Sequence, residues 1–246
     1  MGSEMCIRDS YKRALVIGAE HITWLLDWSD RNTAVLFGDG AGAVVIEESK
    51  NESDGEIYSF SNGLSSDNLE ILEIPNFGSA MDRFNPDEAA RVRWTFDGQE
   101  IFKSGVRAMA QASAEAIEKS GLSKEDVDIF IPHQANIRIV EALEKKLGLP
   151  NATTIKKVHR YGNTSAASIP TAFVDALEEG EIKGGEIAVF TAVGAGLAWG
   201  ACAVRLGDRV TPINKSDAKL PDFDGTATDT IKRAIEYQVP DKLDKI

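Results

Sequence analysis

A chain of 246 residues with 43% hydrophobic and 27% charged residues has the size and balance of one large or two small globular domains, which excludes a wholly disordered segment. The formal net charge of −12 argues against nucleic acid as a partner, because phosphate binding needs concentrated Lys and Arg; any acidic partner has to meet a local basic patch. Cys6 and Cys202 are too few for a disulfide framework, and no apolar run approaches the roughly 20 residues that span a bilayer, so a reduced cytoplasm with no membrane partner is the expected setting.

Residues 11–18 (Tyr-Lys-Arg-Ala-Leu-Val-Ile-Gly) read as a buried strand entered from a basic edge, and 33–37 and 43–48 as two further strands joined by Gly38-Asp-Gly-Ala-Gly42 as a tight hairpin. A phosphate loop of the dinucleotide type needs a helix next, whereas Val44-Val-Ile-Glu-Glu48 is strand material. Residues 49–97 are polar and irregular, with Pro75 and Pro86, and read as a long surface connector of the kind that often lines binding sites. From Gly98 to Ser120, Ile101, Phe102, Val106, Met109, Ala110, Ala116 and Ile117 recur at helical spacing until Gly121 stops them. A strand at 127–131, a helix at 137–147, a loop around Asn163, a helix from about 166 to 178 and a strand at 186–191 follow, an alternation that predicts a sheet with helices packed on it. The glycine turn in 193–200 leads into a strand at 201–206, repeating the strand, turn, strand ending near residue 48 and hinting at an internal duplication. Residues 207–246 form a tail with one helical stretch, 226–237, expected to pack on the body.

Two motifs carry the chemistry. Ile131-Pro-His-Gln-Ala-Asn136 puts His133 just past a strand, and in an open α/β sheet the carboxyl ends of strands are where ligands bind. Tyr161-Gly-Asn-Thr-Ser-Ala-Ala-Ser168, about thirty residues on, puts Asn163 after a glycine at the start of a helical stretch. The pair reads as two hydrogen-bond donors aimed at one small oxyanion. Taken alone, His133 reads first as a satisfied structural histidine and Asn163 as an N-cap. His159 reads as structural, in a solvated loop, and His21 has no identifiable partner in the sequence.

Six blocks widen the pattern: Asp30-Arg31, Leu36-Phe-Gly-Asp-Gly-Ala-Gly-Ala43, Ile101-Phe-Lys103, Pro132-His-Gln-Ala-Asn136 with Arg138, Gly162-Asn-Thr-Ser-Ala-Ala-Ser168, and Trp199-Gly200. In this order and spacing the chain, from about residue 11 to 206, resembles the β-ketoacyl-ACP synthase III family of condensing enzymes. The resemblance implies an α/β thiolase-like fold, mixed sheets with packed helices, its first half truncated. It divides the chain into a foreign or artefactual segment (1–10), the end of an N-terminal thiolase-like half (11–50), a connector (51–97), a C-terminal half (98–206) and a C-terminal extension (207–246).

The activity implied is acyl transfer by decarboxylative Claisen condensation, with acyl-CoA and malonyl-ACP as substrates, no cofactor and no metal, and with acyl carrier protein as partner of a homodimeric complete protein. Of the family's catalytic Cys, His and Asn, His133 and Asn163 carry over. No nucleophile does: no Ala-Cys-type segment precedes the strand at 13–18, Cys6 stands in the unmatched first ten residues, and Cys202 alternates with alanines as a small core residue. The resemblance further implies an oxyanion contact from backbone N–H groups of Gly194, Ala195 and Gly196, pantetheine or coenzyme A contacts from Gln134 and Asn136, and carrier docking by Lys103, Arg138, Lys145 and Lys146. A fragment of this kind is expected to be inactive by itself. The alternative is a non-catalytic thiolase-like subunit that binds acyl carriers or completes a partner's site.

Overall fold

A computed structural model describes residues 11–28, 30–67, 69–74, 94–211, 217–219 and 224–238. The segment 1–10, Pro75 and Pro86 lie outside them. In chain order the elements are strands β1 (Arg13–Glu20), β2 (Gly40–Glu47), β3 (Glu56–Leu64), β4 (Leu72–Glu73) and β5 (Thr95–Phe96), helix α1 (Gly98–Lys119), strand β6 (Ile129–Pro132), helix α2 (Ile137–Leu147) and strand β7 (Thr153–Thr154). A one-turn helix α3 (Val158–Tyr161), helix α4 (Ser168–Glu178), strands β8 (Ile187–Gly194) and β9 (Ala198–Arg205) and helix α5 (Ala227–Gln238) complete them.

Local chemistry sets the helix ends. Asp97 accepts from the N–H groups of Gln99 and Glu100 to cap α1, and Asn136 accepts from Ile139 N–H to cap α2. Gly148 closes α2 in the left-handed region, φ +61°, where a side chain is disfavoured. Strands β3, β9, β8, β6 and β7 lie in that order in one sheet, with β6 parallel to β7 and β8 and the β8–β9 and β3–β9 pairs antiparallel. This is the sheet with packed helices that the alternation predicts, and it is mixed, as the resemblance implies.

The core lies on both sides of β6, whose four residues are all buried. Phe130 faces one cluster with Val106, Met109 and Ile117 of α1 and Ile139, Leu143 and Leu147 of α2; Ile129 and Ile131 face the other, with Ala172 and Ala176 of α4. A strand covered on both faces reads as a continuous apolar run, which is why this one is legible. Toward β3 and β9 the α4 side of the sheet opens into a groove of about 290 Å³ lined by Phe60, Asn62, Ile169, Phe190 and Cys202, among others.

Three expectations give way. Residues 33–36 are turn rather than strand, with Phe37 making a single parallel bridge to Asn163, and Gly40, Ala41 and Gly42 lie inside β2, opposite Glu20, Ala19 and Gly18 of β1. The glycines serve close approach instead of a hairpin. A Cβ on Gly38 would stand 2.3 Å from Tyr161 O, one on Gly18 2.3 Å from Ala166 O and one on Gly42 2.7 Å from Pro170 Cβ. The stretch 49–97 contains the nine-residue strand β3. Its inward positions are serines, Ser59 bonding Ala116 O and Ser61 bonding Glu115 on α1, so hydrophobic periodicity hides it. Finally, β1 forms as expected but is not buried.

Leu15 and its cross-strand partner Val45 are 61% and 65% exposed, and Ile17 is 61% exposed. An exposed aliphatic face of this kind favours association. Light scattering on this polypeptide expressed by itself is expected to give oligomers or aggregates, and Leu15→Lys with Val45→Glu is expected to shift them toward smaller species; a soluble, cooperatively melting monomer of the parent chain contradicts the expectation.

Candidate functional site

The parallel pairing of β6 with β8 puts Pro132 opposite Thr191, and His133, one residue on, donates its backbone N–H to Thr191 O at 2.7 Å. His133 thus sits at the carboxyl end of β6, as the motif predicts, and is only 8% exposed. Its Nδ1 lies 2.6 Å from Ser168 Oγ, in the first turn of α4. Burial alone pushes the imidazole down to about 4, so the ring is neutral at physiological pH.

Asn163 is fixed by its backbone on both sides: its N–H donates to Leu36 O and its C=O accepts from Gly38 N–H, each at 2.9 Å. Phe37 between these two is held by Trp94, ring centroids 4.9 Å away, and Phe96, 6.2 Å away. The side chain is not an N-cap. Oδ1 accepts from Ser165 N–H at 2.9 Å in an Asx turn, with Ser165 at φ +48°, a backbone region that non-glycine residues seldom adopt. Because a backbone N–H can only donate, Oδ1 is identified and Nδ2 points away from the turn. Among the described residues neither His133 Nε2 nor Asn163 Nδ2 has a hydrogen-bond partner, so each keeps an unused nitrogen.

The expectation that Gln134 contacts pantetheine or coenzyme A is not met by this geometry. The residue is 2% exposed, its Nε2 donates to Pro132 O and Ile155 O, and its Oε1 accepts from Lys157 N–H and Val158 N–H. Asn136, half-buried, gives its Oδ1 to the cap of α2 and keeps only its amino group for a ligand. The predicted glycine turn is present: residues 195–197 connect β8 to β9, with Gly194 opposite Ala198, Gly196 at φ +138° and Leu197 O accepting from Ser65 N–H. It extends about 10 Å past Thr191 on the His133 side of the sheet, at roughly 3.3 Å per residue.

The predicted basic residues are spread over two helices. Arg138 is in the first turn of α2, beside the His133 motif, and is exposed, whereas Lys145 and Lys146 are in its last turn, about 10 Å further along the axis. Lys103 lies on α1 within 3.9 Å of Glu100. His159 is exposed on α3, and His21 has a neighbour after all, its Nε2 3.7 Å from Asp39 Oδ2. Cys202, in β9, is half-buried and lines the groove instead of sitting in the core; burial raises its thiol to about 11, against a smaller opposing effect of the Phe190 backbone, so it stays protonated, and Cys6 lies outside the described residues. Sequence reasoning missed Ser168 as a partner of His133, although it closes the quoted motif. It also missed the ion pairs of Lys157 with Glu179 and Glu181, for which spacing gives no signal. No described helix is long and apolar enough to cross a membrane.

Residues 1–65 match the family model "3-Oxoacyl-[acyl-carrier-protein (ACP)] synthase III", and residues 117–206 match its C-terminal counterpart, together more than half of the chain. The match is therefore not confined to a C-terminal portion, and it takes in residues 1–10, which the motifs alone set apart. Among curated proteins, β-ketoacyl-[acyl-carrier-protein] synthase III 2 of Vibrio cholerae is 49% identical over 229 residues, 92% of this chain and 62% of that protein. Among solved structures, 3-oxoacyl-[acyl-carrier-protein] synthase III of Aquifex aeolicus is 39% identical with a TM-score of 0.71, over 82% of this chain and 60% of that one. The Thermus thermophilus synthase III structure is 36% identical with a TM-score of 0.73, over 85% and 63%. The chain thus spans about three fifths of the length of these relatives. With the family models, the relatives and the thiolase-like α/β fold in agreement, this chain belongs to the β-ketoacyl-ACP synthase III family.

Proposed function

We propose that this chain carries the enolate-stabilising groups of a condensing site that joins an acyl primer to malonyl-ACP. The observation that carries the proposal is the pair of unengaged side-chain nitrogens, His133 Nε2 and Asn163 Nδ2, on two rigidly held residues. In the reaction, a thiolate attacks the carbonyl of acyl-CoA and expels coenzyme A. Malonyl-ACP then breaks its bond to the terminal carboxylate, carbon dioxide leaves, and the electron pair forms an enolate whose negative charge falls on the thioester oxygen. The enolate carbon attacks the acyl-enzyme carbonyl, the thiolate leaves, and β-ketoacyl-ACP is released.

Neutral donors suit the middle step. A carboxylate there would repel the enolate, whereas an imidazole N–H and an amide N–H₂ held in a water-poor pocket stabilise the charge as it forms, with no reorganisation at the moment of reaction. Backbone N–H groups of the Gly194-Ala195-Gly196 turn are proposed to hold the second oxyanion, at the acyl-enzyme carbonyl. Cys202 is unsuited as nucleophile, because burial keeps its thiol protonated. Arg138 is the docking residue that the geometry favours for the acidic carrier, since it alone of the basic residues on α2 stands at the His133 end. The net charge of −12 makes a local contact of this kind necessary.

Three outcomes are expected. His133→Ala and Asn163→Ala, each in the full-length protein, lower malonyl-ACP decarboxylation about 100- to 1,000-fold, the usual effect of losing one oxyanion donor; a rate unchanged in both refutes the role. Arg138→Glu raises the Michaelis constant for malonyl-ACP roughly tenfold with the turnover rate retained, and an unmoved constant counts against docking there. For pH, the His133 ring is held at about 4 in the folded chain against an ordinary 6.5, so between those values the unfolded chain binds a proton that the folded chain does not. This contribution to stability is present in full above about pH 6.5 and is lost as pH falls through 4, a loss of about 3 kcal/mol. Denaturant titrations across that window are expected to be steeper in pH for the parent than for His133→Gln by that amount.

A further inference from the structure

We propose that Ser168 is a positioning residue that selects the tautomer of His133, holding Nδ1 as an acceptor so that the ring proton resides on Nε2. The role of that proton rests on the enolate-stabilising function proposed above; the tautomer assignment itself stands on local hydrogen bonding. Ser168 Oγ has two polar neighbours in a buried setting, His133 Nδ1 at 2.6 Å and the backbone N–H of Gln134 at 3.3 Å. His133 is 8%, Ser168 2% and Gln134 2% exposed, so water is not a ready substitute for either.

The Gln134 N–H can only donate, and it occupies one lone pair of the serine oxygen. Ser168 has a single hydroxyl proton, and among the described residues His133 Nδ1 is the acceptor recorded within reach. If the hydroxyl donates to Nδ1, all three groups are satisfied. If instead Nδ1 carried the proton and donated to Oγ, the oxygen would accept twice and its own O–H would be a buried donor with no acceptor, an arrangement that folded proteins avoid. A neutral imidazole has one proton, so an accepting Nδ1 places it on Nε2. That nitrogen is the one left free to meet a developing oxyanion, and the opposite tautomer would present it with a lone pair.

The position of Ser168 makes this control robust. It opens α4, where its backbone is committed to the helix, and Thr171 Oγ1 donates to its C=O at 3.2 Å. The same short segment, 163–168, therefore supplies Asn163 and orients the ring of His133, which couples the two donors geometrically.

The test is the solid-state nitrogen NMR spectrum of the imidazole rings in the chain labelled with ¹⁵N-histidine, a measurement that association of the chain does not prevent. Only His21, His133 and His159 contribute, and His133→Asn assigns the signal. The expected spectrum near neutral pH has a bare Nδ1 and a protonated Nε2 on His133. Ser168→Ala is expected to give mixed tautomers, a roughly tenfold drop in malonyl-ACP decarboxylation in the full-length protein and an unchanged Michaelis constant, with Ser168→Thr restoring both signal and rate. A protonated Nδ1 in the parent chain overturns the proposal and needs no variant to fold; a pure Nε2 tautomer retained in Ser168→Ala overturns it as well. If Ser168→Ala mixes the tautomers while His133→Ala leaves decarboxylation untouched, the positioning role is supported and the proposed function is the part that fails.

Discussion

The side chain of Gln134 makes four hydrogen bonds to backbone, donating to Pro132 O and Ile155 O and accepting from Lys157 N–H and Val158 N–H. It thereby joins the end of β6 to the chain leaving β7 and to the start of α3, the segment that leads to Asn163. The amide is 2% exposed, so each of these bonds forms where water does not compete. A residue with a shorter or apolar side chain would leave two carbonyls and two N–H groups without partners in the interior. The spacing of His133 relative to the loop of Asn163 depends on this one carboxamide more than on any apolar contact.

Charge takes over where the carboxamide stops. Lys157 has a side chain only 6% exposed, with its Nζ 2.6 Å from Glu179 and 2.9 Å from Glu181. Burial by itself would lower the ammonium, but the hydrogen bonds and charges of the two carboxylates outweigh it and hold Lys157 above its ordinary value. Arg160 reaches Asp175 at 2.9 Å and Tyr161 Oη bonds Asp175 at 3.0 Å, so α3 is pinned to α4 at several points. Lys157 is the buried member of these pairs, so removing its carboxylates would strand its charge, whereas Arg160 and Glu179 keep contact with solvent and contribute less. Their work here is to fix the two flanks of the Gly162–Asn163 turn.

Residues 98–206 were largely legible because their signals are redundant: α1 carries a helical apolar stripe between Asp97 and Gly121, α2 lies between Asn136 and Gly148, and β6 is a run of buried apolar residues. The glycine stretch 38–42 was not, because a glycine required by a neighbouring backbone looks the same in sequence as one required by a turn. The bodies that impose it, Tyr161 O and Pro170, are more than a hundred residues away. Strand β3 escaped because buried serines satisfied by α1 replace the apolar positions that alternation would show. In the site, the motifs located His133 and Asn163, yet the partner of each atom depended on long-range pairing. Gln134 illustrates the gap: polar, beside the histidine and apt for a ligand in sequence, it is a structural clamp in the fold.

In the proposed site, the separation of charged from neutral groups leaves His133 suited to act as a neutral donor. The ring touches a hydroxyl, and its lowered pKa has burial as the single cause, with no carboxylate contribution. A carboxylate in the place of Ser168 would draw the proton to Nδ1 and favour the imidazolium, as acid partners of histidine generally do. Asp175, Glu179 and Glu181 are all in use by Lys157, Arg160 and Tyr161, in and beside α3. The fold thus places its strong charges where they stiffen the loop and leaves the ring a neutral neighbour. That arrangement keeps the imidazole neutral across the physiological pH range, which is the condition the proposed oxyanion site has to meet.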